Sequence, residues 1–410
     1  MLPLGLSAAR QREFERALRD DHTVVPTVQV LTLDHKPVAD VSHMLIDGQV
    51  DVRSDSDTTR ALSLQLVDER GHIGFGDNDP SDGALFMDNM IRAILSFDWP
   101  GNTGDWVDVP IFTGPIVAMN RDAKVLAIDC LGKEHFALRR AWNESVTFTV
   151  NYVTDLIKFC LRRAGETRFD IPDLKIITTE ATTLWPMSQP WKHAQKLAKS
   201  IGRQLFYDGR GVCRMRKLPD KPLWTFSDGE EGMLTSRPSI QFDVESVRNT
   251  VWVVGRKPKG AKKKVEGSAT LPGSNPFSAR RLGRGPDRKG GVLLEKVENE
   301  HLKTNRNCHE HAVSVLNRIN EQNVTVSYTS LLVPHLEEGD KVELDSEDAQ
   351  WTHRARNFSI PLSGGQMSVS TTRHMSKGER AKVNILQPMT WGDKNTLLGA
   401  QWWTDGTAKL

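Results

Sequence analysis

The chain has 410 residues, 38% of them hydrophobic, and its 54 lysines and arginines against 52 aspartates and glutamates leave a formal charge of +2. At ~150 residues per domain that length suits two to four domains with real cores, and the near balance of charge denies the whole chain the electrostatic footprint of a nucleic-acid binder, so any such role is local. Cys130, Cys160, Cys213 and Cys308 lie far apart and form no CxxC, which excludes a zinc ribbon or small disulfide framework by pattern and points to reduced, buried thiols.

No apolar run approaches the ~18 residues needed to cross a bilayer, and the N-terminal stretch lacks a signal-peptide core. The expectation is a protein made in the cytoplasm, with no membrane anchor or secretion address of its own.

Residues 7–21 read as a short charged helix, with Phe14, Ala17 and Leu18 as a narrow apolar stripe among Arg10, Arg12, Glu13, Glu15, Arg16 and Arg19. So narrow a stripe cannot make a core alone. It is either a docking arm for a neighbouring subunit or a helix lying on the first domain.

From residue 24 the hydrophobic period becomes two. A strand over 27–33 is followed, after the turn residues 34–37, by an extended run through His43, Ile46 and Val50. The cleanest strand is 61–67, with Leu62, Leu64 and Leu66 on one face and Ser63 and Gln65 on the other. Residues 90–97 could be helical by spacing, but Asp98-Trp99-Pro100-Gly101 and a further strand at 106–112 favour a strand. Segments 115–119 and 124–130, hinged at Asn120-Arg121-Asp122, complete a meander, and six or more short strands with regular turns argue for a closed or nearly closed antiparallel barrel.

An amphipathic helix over 151–164 carries Tyr152, Leu156, Phe159, Cys160 and Arg163 and ends at Gly165. The run 188–218 holds a complete local grammar. Pro190 suits a first helical turn, and Ser188 or Gln189 can cap it. Trp191, Ala194, Ala198 and Ile201 share one face, and Gly202 stops the helix. Two short strands, 204–207 and 212–218, flank the hairpin turn Asp208-Gly209-Arg210-Gly211. Together these form an α+β unit.

A second β region begins near Trp224, with 249–255 as a central strand. Two basic clusters, 256–264 and 280–289, then lie in a Gly/Pro/Ser-rich loop of about thirty-five residues, too long for a mere connection. A helix over 304–320 buries Cys308, Ala312, Val315, Leu316 and Ile319, and strands at 324–332, 340–344, 351–360 and 367–372 close the region. The tail, 374–410, sets Trp391, Trp402 and Trp403 among Gly, Asp and Thr and reads as an extended segment in want of a partner surface.

Chemistry-bearing patterns are weak. His309 and His311 beside Cys308 point in different directions on a helix, and His301 precedes it, so no metal ligand set is expected. The acidic pairs Asp55 and Asp57, Asp77 and Asp79, and Glu337 and Glu338 read as turn and surface residues rather than glycosidase carboxylates, since closeness in sequence does not set the separation that chemistry needs. Ser188, Ser239 and Ser278 sit in no GxSxG. The glycine-rich run 71–76 follows a strand and opens no helix, which argues against a phosphate cradle. No catalytic residue, cofactor or metal is expected, and the chain is read as no enzyme. Arg256, Lys257, Lys259, Lys262, Lys263 and Lys264 would attract phosphates if ordered on one face. A solvated loop is the plainer reading, with an acidic neighbouring subunit or passing nucleic acid as the functional ones.

Five stretches carry a family resemblance: Asp51-Val52-Arg53 through Thr58-Thr59-Arg60 into the strand Leu62 to Leu66; Phe112-Thr113-Gly114-Pro115 with Ile128-Asp129-Cys130; Leu197-Ala198-Lys199-Ser200-Ile201-Gly202 with Tyr207-Asp208-Gly209; Leu271-Pro272-Gly273-Ser274-Asn275-Pro276 with Arg280-Arg281-Leu282-Gly283; and Leu332-Val333-Pro334-His335-Leu336-Glu337-Glu338-Gly339-Asp340. In this order they resemble the minor tail proteins of long-tailed bacteriophages that infect actinobacteria, and behind them the tail and baseplate hub proteins of phages and contractile injection systems. The resemblance runs over about 7–372.

It implies a mainly β fold with an α+β insert, two antiparallel β-barrel tube-like domains plus a small α+β domain. The parts are an N-terminal helical arm (1–23), a first barrel (24–146), the insert (147–223), a second barrel (224–373) with the basic loop 256–290 and helix 304–320, and the extended tail (374–410). It further implies a virion protein at the tail tip, a trimeric ring around a central channel. Its expected partners are other copies of itself, the tail tube or distal tail protein, fibre or spike proteins and the tape-measure protein, with DNA only in passage. The basic-loop residues above and Trp391, Trp402 and Trp403 are its candidate partner contacts. Competing readings are a tail-associated cell-wall hydrolase and a host-glycan-binding tail protein.

Overall fold

The computed structural model describes residues 1–373 except 55, 69–84, 86–88, 141–143, 149–151, 178–181, 185–188, 230, 244, 259, 284–290, 300–301, 323 and 348–349. The glycine-rich run 71–76, the pair Asp77 and Asp79, Asp55, Ser188, Lys259, His301 and the tail with its three tryptophans therefore lie outside the described residues. The chain divides into two compact units, one formed by Met1–Pro238 with Ser327–Thr371, the other by Ser239–Val326 with Thr372–Leu410. The sequence-defined second β region, 224–373, is thus shared between both units.

The first unit opens with helix α1 (Ala8–Ala17), capped by the Ser7 hydroxyl, which accepts from the Arg10 amide. Phe14 is fully buried against Phe97, ring centroids 5.4 Å apart. Of the two readings of the apolar stripe, the helix lying on its own β domain is the one observed. The strands follow as β1 (Thr23–Leu31), β2 (Pro37–Asp40), β3 (Leu45–Arg53), β4 (Arg60–Val67), β5 (Met90–Asp98), β6 (Val107–Asp122) and β7 (Val125–Leu131). β4 alternates as expected, Leu62, Leu64 and Leu66 buried and Ser63 and Gln65 exposed. Residues 90–97 are indeed a strand.

Two expectations are corrected here. The extended run through His43 is broken by a 3-10 turn, Ser42–Met44. The strands expected at 106–112 and 115–119 are one, β6, whose partner changes along its length: Met90 of β5 faces Pro115, while Ile116 already faces Cys130 of β7. A Cβ on Gly114, at that changeover, would lie 2.0 Å from the Leu131 carbonyl oxygen, so the crossing needs glycine for close approach. The β6–β7 turn centres on Ala123, with a φ of 51°, not on 120–122.

The insert comprises α2 (Glu134–Arg139), β8 (Val146–Phe148), α3 (Val153–Arg163), β9 (Phe169–Asp170), β10 (Thr182–Leu184), α4 (Pro190–Ser200), β11 (Gln204–Tyr207) and β12 (Cys213–Arg216). Trp191, Ala194 and Ala198 are fully buried in a core with Ile157, Cys160, Leu161 and Tyr207, and Ile201 packs at its edge. Gln189 occupies the N-cap, but its side chain donates to the Leu138 carbonyl rather than capping α4. β11 and β12 pair antiparallel as expected, and β12 also pairs parallel with the two-residue β9, too short to carry a periodic signal. All four cysteines are free and buried.

Next come β13 (Trp224–Ser227) and, in the second unit, β14 (Ser239–Phe242), β15 (Thr250–Val254), β16 (Glu266–Thr270), α5 (Ala279–Leu282), β17 (Leu294–Glu298) and α6 (Asn305–Gln322). β15 is the central strand of three, antiparallel to β16 and parallel to β17, and α6 supplies Cys308, Ala312, Val315 and Leu316 to the core over them. The chain returns as β18 (Val324–Ser330), β19 (Lys341–Asp345), β20 (Gln350–Pro361) and β21 (Met367–Arg373). β20 pairs antiparallel with β3, Phe358 facing Val52, so late and early segments share one large, mostly antiparallel sheet. Its order is β18-β21-β20-β3-β4-β7-β6-β5-β1-β2, with β19 and β13 branching from β20.

Candidate functional site

The expected basic loop proves to be several elements. Residues 255–265 connect β15 to β16 as a hairpin, and Arg256, Lys257, Lys262, Lys263 and Lys264 are all exposed on it. β16 carries no strand signal in the sequence, because Glu266-Gly267-Ser268-Ala269-Thr270 has no β-branched or aromatic residue before its last position. Its smallness has a cause: a Cβ on Gly267 would lie 2.3 Å from the His309 amide nitrogen, so α6 packs directly on that backbone. Arg280 and Arg281 of the second basic cluster are exposed on α5. On the β17 side, Lys296 and then Lys264 hold the exposed Glu298 carboxyl below its ordinary range.

His309, weighed as a metal ligand, is buried and binds the strand instead, its Nδ1 lying 3.1 Å from the Ser268 amide and 2.9 Å from the Ser268 carbonyl oxygen. Cys308 faces the apolar core. Among the described residues no three His, Cys, Asp or Glu side chains are grouped as metal ligands.

A junction in the first unit brings together residues that are scattered in the sequence. The hairpin turn supplies one half. Asp208 accepts from the Arg210 and Val212 amides through Oδ1 and from Arg214 Nε through Oδ2, while Gly211 takes a φ of 68°. Gly209 is required for close approach, since a Cβ there would meet the Pro110 carbonyl oxygen at 2.1 Å, and its own carbonyl accepts from Thr113 Oγ1. The turn is thus seated on β6.

The other half is the turn 335–340. Glu337, expected at the surface, is 2% exposed, with its carboxylate 2.6 Å from Arg60 Nη2. Arg60 Nη1 donates to the Ile111 carbonyl. Asp340 accepts from the Glu337 amide, pairs with Arg216 at 2.8 Å and lies 2.8 Å from the Met1 amino group. Glu338 accepts from Gln204 Nε2, and Glu134, fully buried, accepts from the Thr59 amide. Burial pushes the Glu134 and Glu337 carboxyls up, Arg60 opposing it at Glu337, and pushes Glu338 up to about 7. Glu337 is buried, not exposed, because a buried carboxylate needs an ion pair or hydrogen bonds, and its partner lies 277 residues away in sequence.

His335 sits between Phe14 and Trp224, centroids 5.5 and 5.7 Å away, with neither ring nitrogen hydrogen-bonded. Burial lowers its pKa to about 3, so it packs as a neutral ring. The stretches containing Arg60, Thr113, Asp208 and Glu337 are four of the five that carried the resemblance, and they meet here. Chemically the junction is a set of buried ion pairs, Arg60 with Glu337, Arg214 with Asp208 and Arg216 with Asp340, that fastens insert, helix and sheet together, with Arg60 Nε and Glu134 Oε2 left without a hydrogen-bond partner.

No protein-family model matches the sequence, and no curated protein matches it. Solved structures do resemble the fold. A tail protein from Neisseria meningitidis MC58 shares 10% identity over 87% of this chain and 98% of that one, with a TM-score of 0.59. The 43 kDa tail protein of prophage MuSo2 from Shewanella oneidensis shares 10% identity over 85% and 97%, TM-score 0.58. A prophage tail protein from Listeria monocytogenes EGD-e shares 11% over 85% and 95%, TM-score 0.51.

Proposed function

We propose that this chain is a structural component of a bacteriophage tail tip, a ring-forming hub that joins the tail tube to distal fibre or spike proteins around a central channel. The observation that carries the reading is the end-to-end likeness in fold to three tail proteins, two of them from prophages, 85–87% of this chain against 95–98% of theirs. In this reading the protein acts by its interfaces and not as an enzyme. Its charged junction supports that role, since Glu337, Asp208 and Asp340 are paired inside the protein with Arg60, Arg214 and Arg216.

The ring is a trimer whose outward contacts include the exposed Arg256, Lys257, Lys262, Lys263 and Lys264 on the β15–β16 turn. Lys259 and the tryptophans Trp391, Trp402 and Trp403 belong to the same set on sequence grounds. The neighbours in the particle are further copies of the chain, the tail tube or distal tail protein, fibre or spike proteins and the tape-measure protein, and DNA passes through without being bound by sequence. The test is mass measurement of the purified protein combined with imaging of tail particles carrying a label on this chain: a trimer, and label at the tail tip, are expected.

A further inference from the structure

The turn between β1 and β2 carries His35 in the left-handed backbone region, at a φ of 63°, a conformation costly for a non-glycine residue unless its surroundings fix it. Those surroundings are cationic. Lys133 Nζ lies 3.1 Å from His35 Nε2, and Arg168 Nη1 lies 2.8 Å from Nδ1. Lysine and arginine are donors only, whereas a neutral imidazole offers one lone pair and one N–H. One of the two contacts therefore sets a donor against an N–H, and a protonated ring would set both so.

The third cation is Arg92 on β5, half-buried, its guanidinium destabilised by burial and then by Arg168. The balancing charge is thin. Glu166 is taken by Lys133 at 2.7 Å and by the Thr167 and Arg168 amides. Among the described residues neither Arg92 nor Arg168 has a carboxylate within ion-pair distance. The charges that act on His35 are Lys133, Arg168 and Arg92, all lowering its pKa after burial. Three cations and one committed carboxylate, half-open to solvent, are arranged as a protein arranges them around an anion.

We infer that His35, Arg92 and Arg168, backed by Lys133, form a binding notch for an oxyanion, either a phosphate or the carboxylate of an acidic side chain. The anion would accept from both guanidiniums, whose fork matches carboxylate and phosphate oxygens, and relieve the donor conflict at His35 by giving its N–H an acceptor in place of a cation. The site is independent of the tail-tip reading, because it requires only the first unit.

The test is thermal unfolding of the full chain in inorganic phosphate and, separately, in capped aspartate, each against chloride at matched ionic strength. At least one should raise the midpoint saturably. Arg92→Gln removes a group with no ion-pair partner among the described residues, and His35→Asn keeps a residue tolerant of positive φ. Each should weaken the apparent affinity roughly tenfold or more, as should Arg168→Gln where it folds. A gain with phosphate alone identifies free phosphate, and a gain with capped aspartate an acidic protein segment. Midpoints identical to chloride for both anions, or a gain that survives Arg92→Gln and His35→Asn unchanged, would overturn the site.

Discussion

Arg60 and Glu337, 277 positions apart in the chain, form a buried ion pair at 2.6 Å, their side chains 4% and 3% exposed. The pair joins the start of β4 to the turn before β19, and Asp340, Arg216 and Gln204 extend it to the insert.

Removing one member of such a pair leaves an uncompensated charge in a dry site, at a cost of about 3 to 5 kcal/mol. Arg60→Met is therefore expected to lower stability by that order in urea unfolding. The double variant Arg60→Met/Glu337→Leu should recover a large part of the loss, since it removes the stranded carboxylate as well. A double variant as unstable as the single one would mean that packing around Arg60, and not charge, is what holds the junction.

Trp191 is fully buried and its ring lies 5.2 Å from that of Tyr207. Trp191→Ala should cost about 3 to 5 kcal/mol. Because the indole N–H has no hydrogen-bond partner, Trp191→Phe should cost much less. Guanidinium unfolding followed by circular dichroism distinguishes the two.

Those two sites mark what is and is not legible in the sequence. Trp191, Gly202 and the 208–211 turn are legible because helix period, helix stop and hairpin turn are local. Glu337 is not, because its burial depends on Arg60, brought alongside only by the pairing of β20 with β3. β6 reads as two strands because Gly114-Pro115 looks like punctuation, whereas the glycine serves a close approach to Leu131 inside a continuous strand. β16 escapes because α6 requires small residues there, and small residues carry no strand signal. The junction is visible in the sequence only as four separate resemblances, whose convergence is a property of the tertiary fold.

Gly209 lies where a side chain would strike the Pro110 carbonyl, while Gly202 at the end of α4 has open space but a φ of 67°. Gly209→Ala should disturb the seating of the insert on β6 and yield little soluble protein. Gly202→Asn, which tolerates that φ, should be nearly neutral. Soluble yield and midpoint of thermal unfolding report both.

Glu338 has its carboxyl raised from the ordinary 4.5 to about 7 by burial, with Arg216 pulling the other way. The native state thus keeps a proton that the unfolded chain loses near pH 4.5, so this group's contribution is full below that pH and declines as pH rises through about 7. Between pH 5 and 8 it should cost on the order of 1 to 3 kcal/mol. Glu338→Gln should flatten that slope in a series of urea titrations.

Lys262, Lys263 and Lys264 are exposed on a hairpin turn, so their joint replacement by glutamate should change stability by only about 0.5 kcal/mol per site or less. As partner contacts they should matter to assembly: incorporation into particles should fall, and in the unmodified protein should weaken as salt rises. Full incorporation of the triple variant would remove this turn from the contact surface.

The mass of the purified chain in solution, measured by sedimentation across a wide concentration range and set beside labelled particles, tests the hub most directly. A ring-forming hub predicts a trimer of the 46.0 kDa chain and label at the tail tip; a monomer at every concentration together with particles that lack the chain would contradict it.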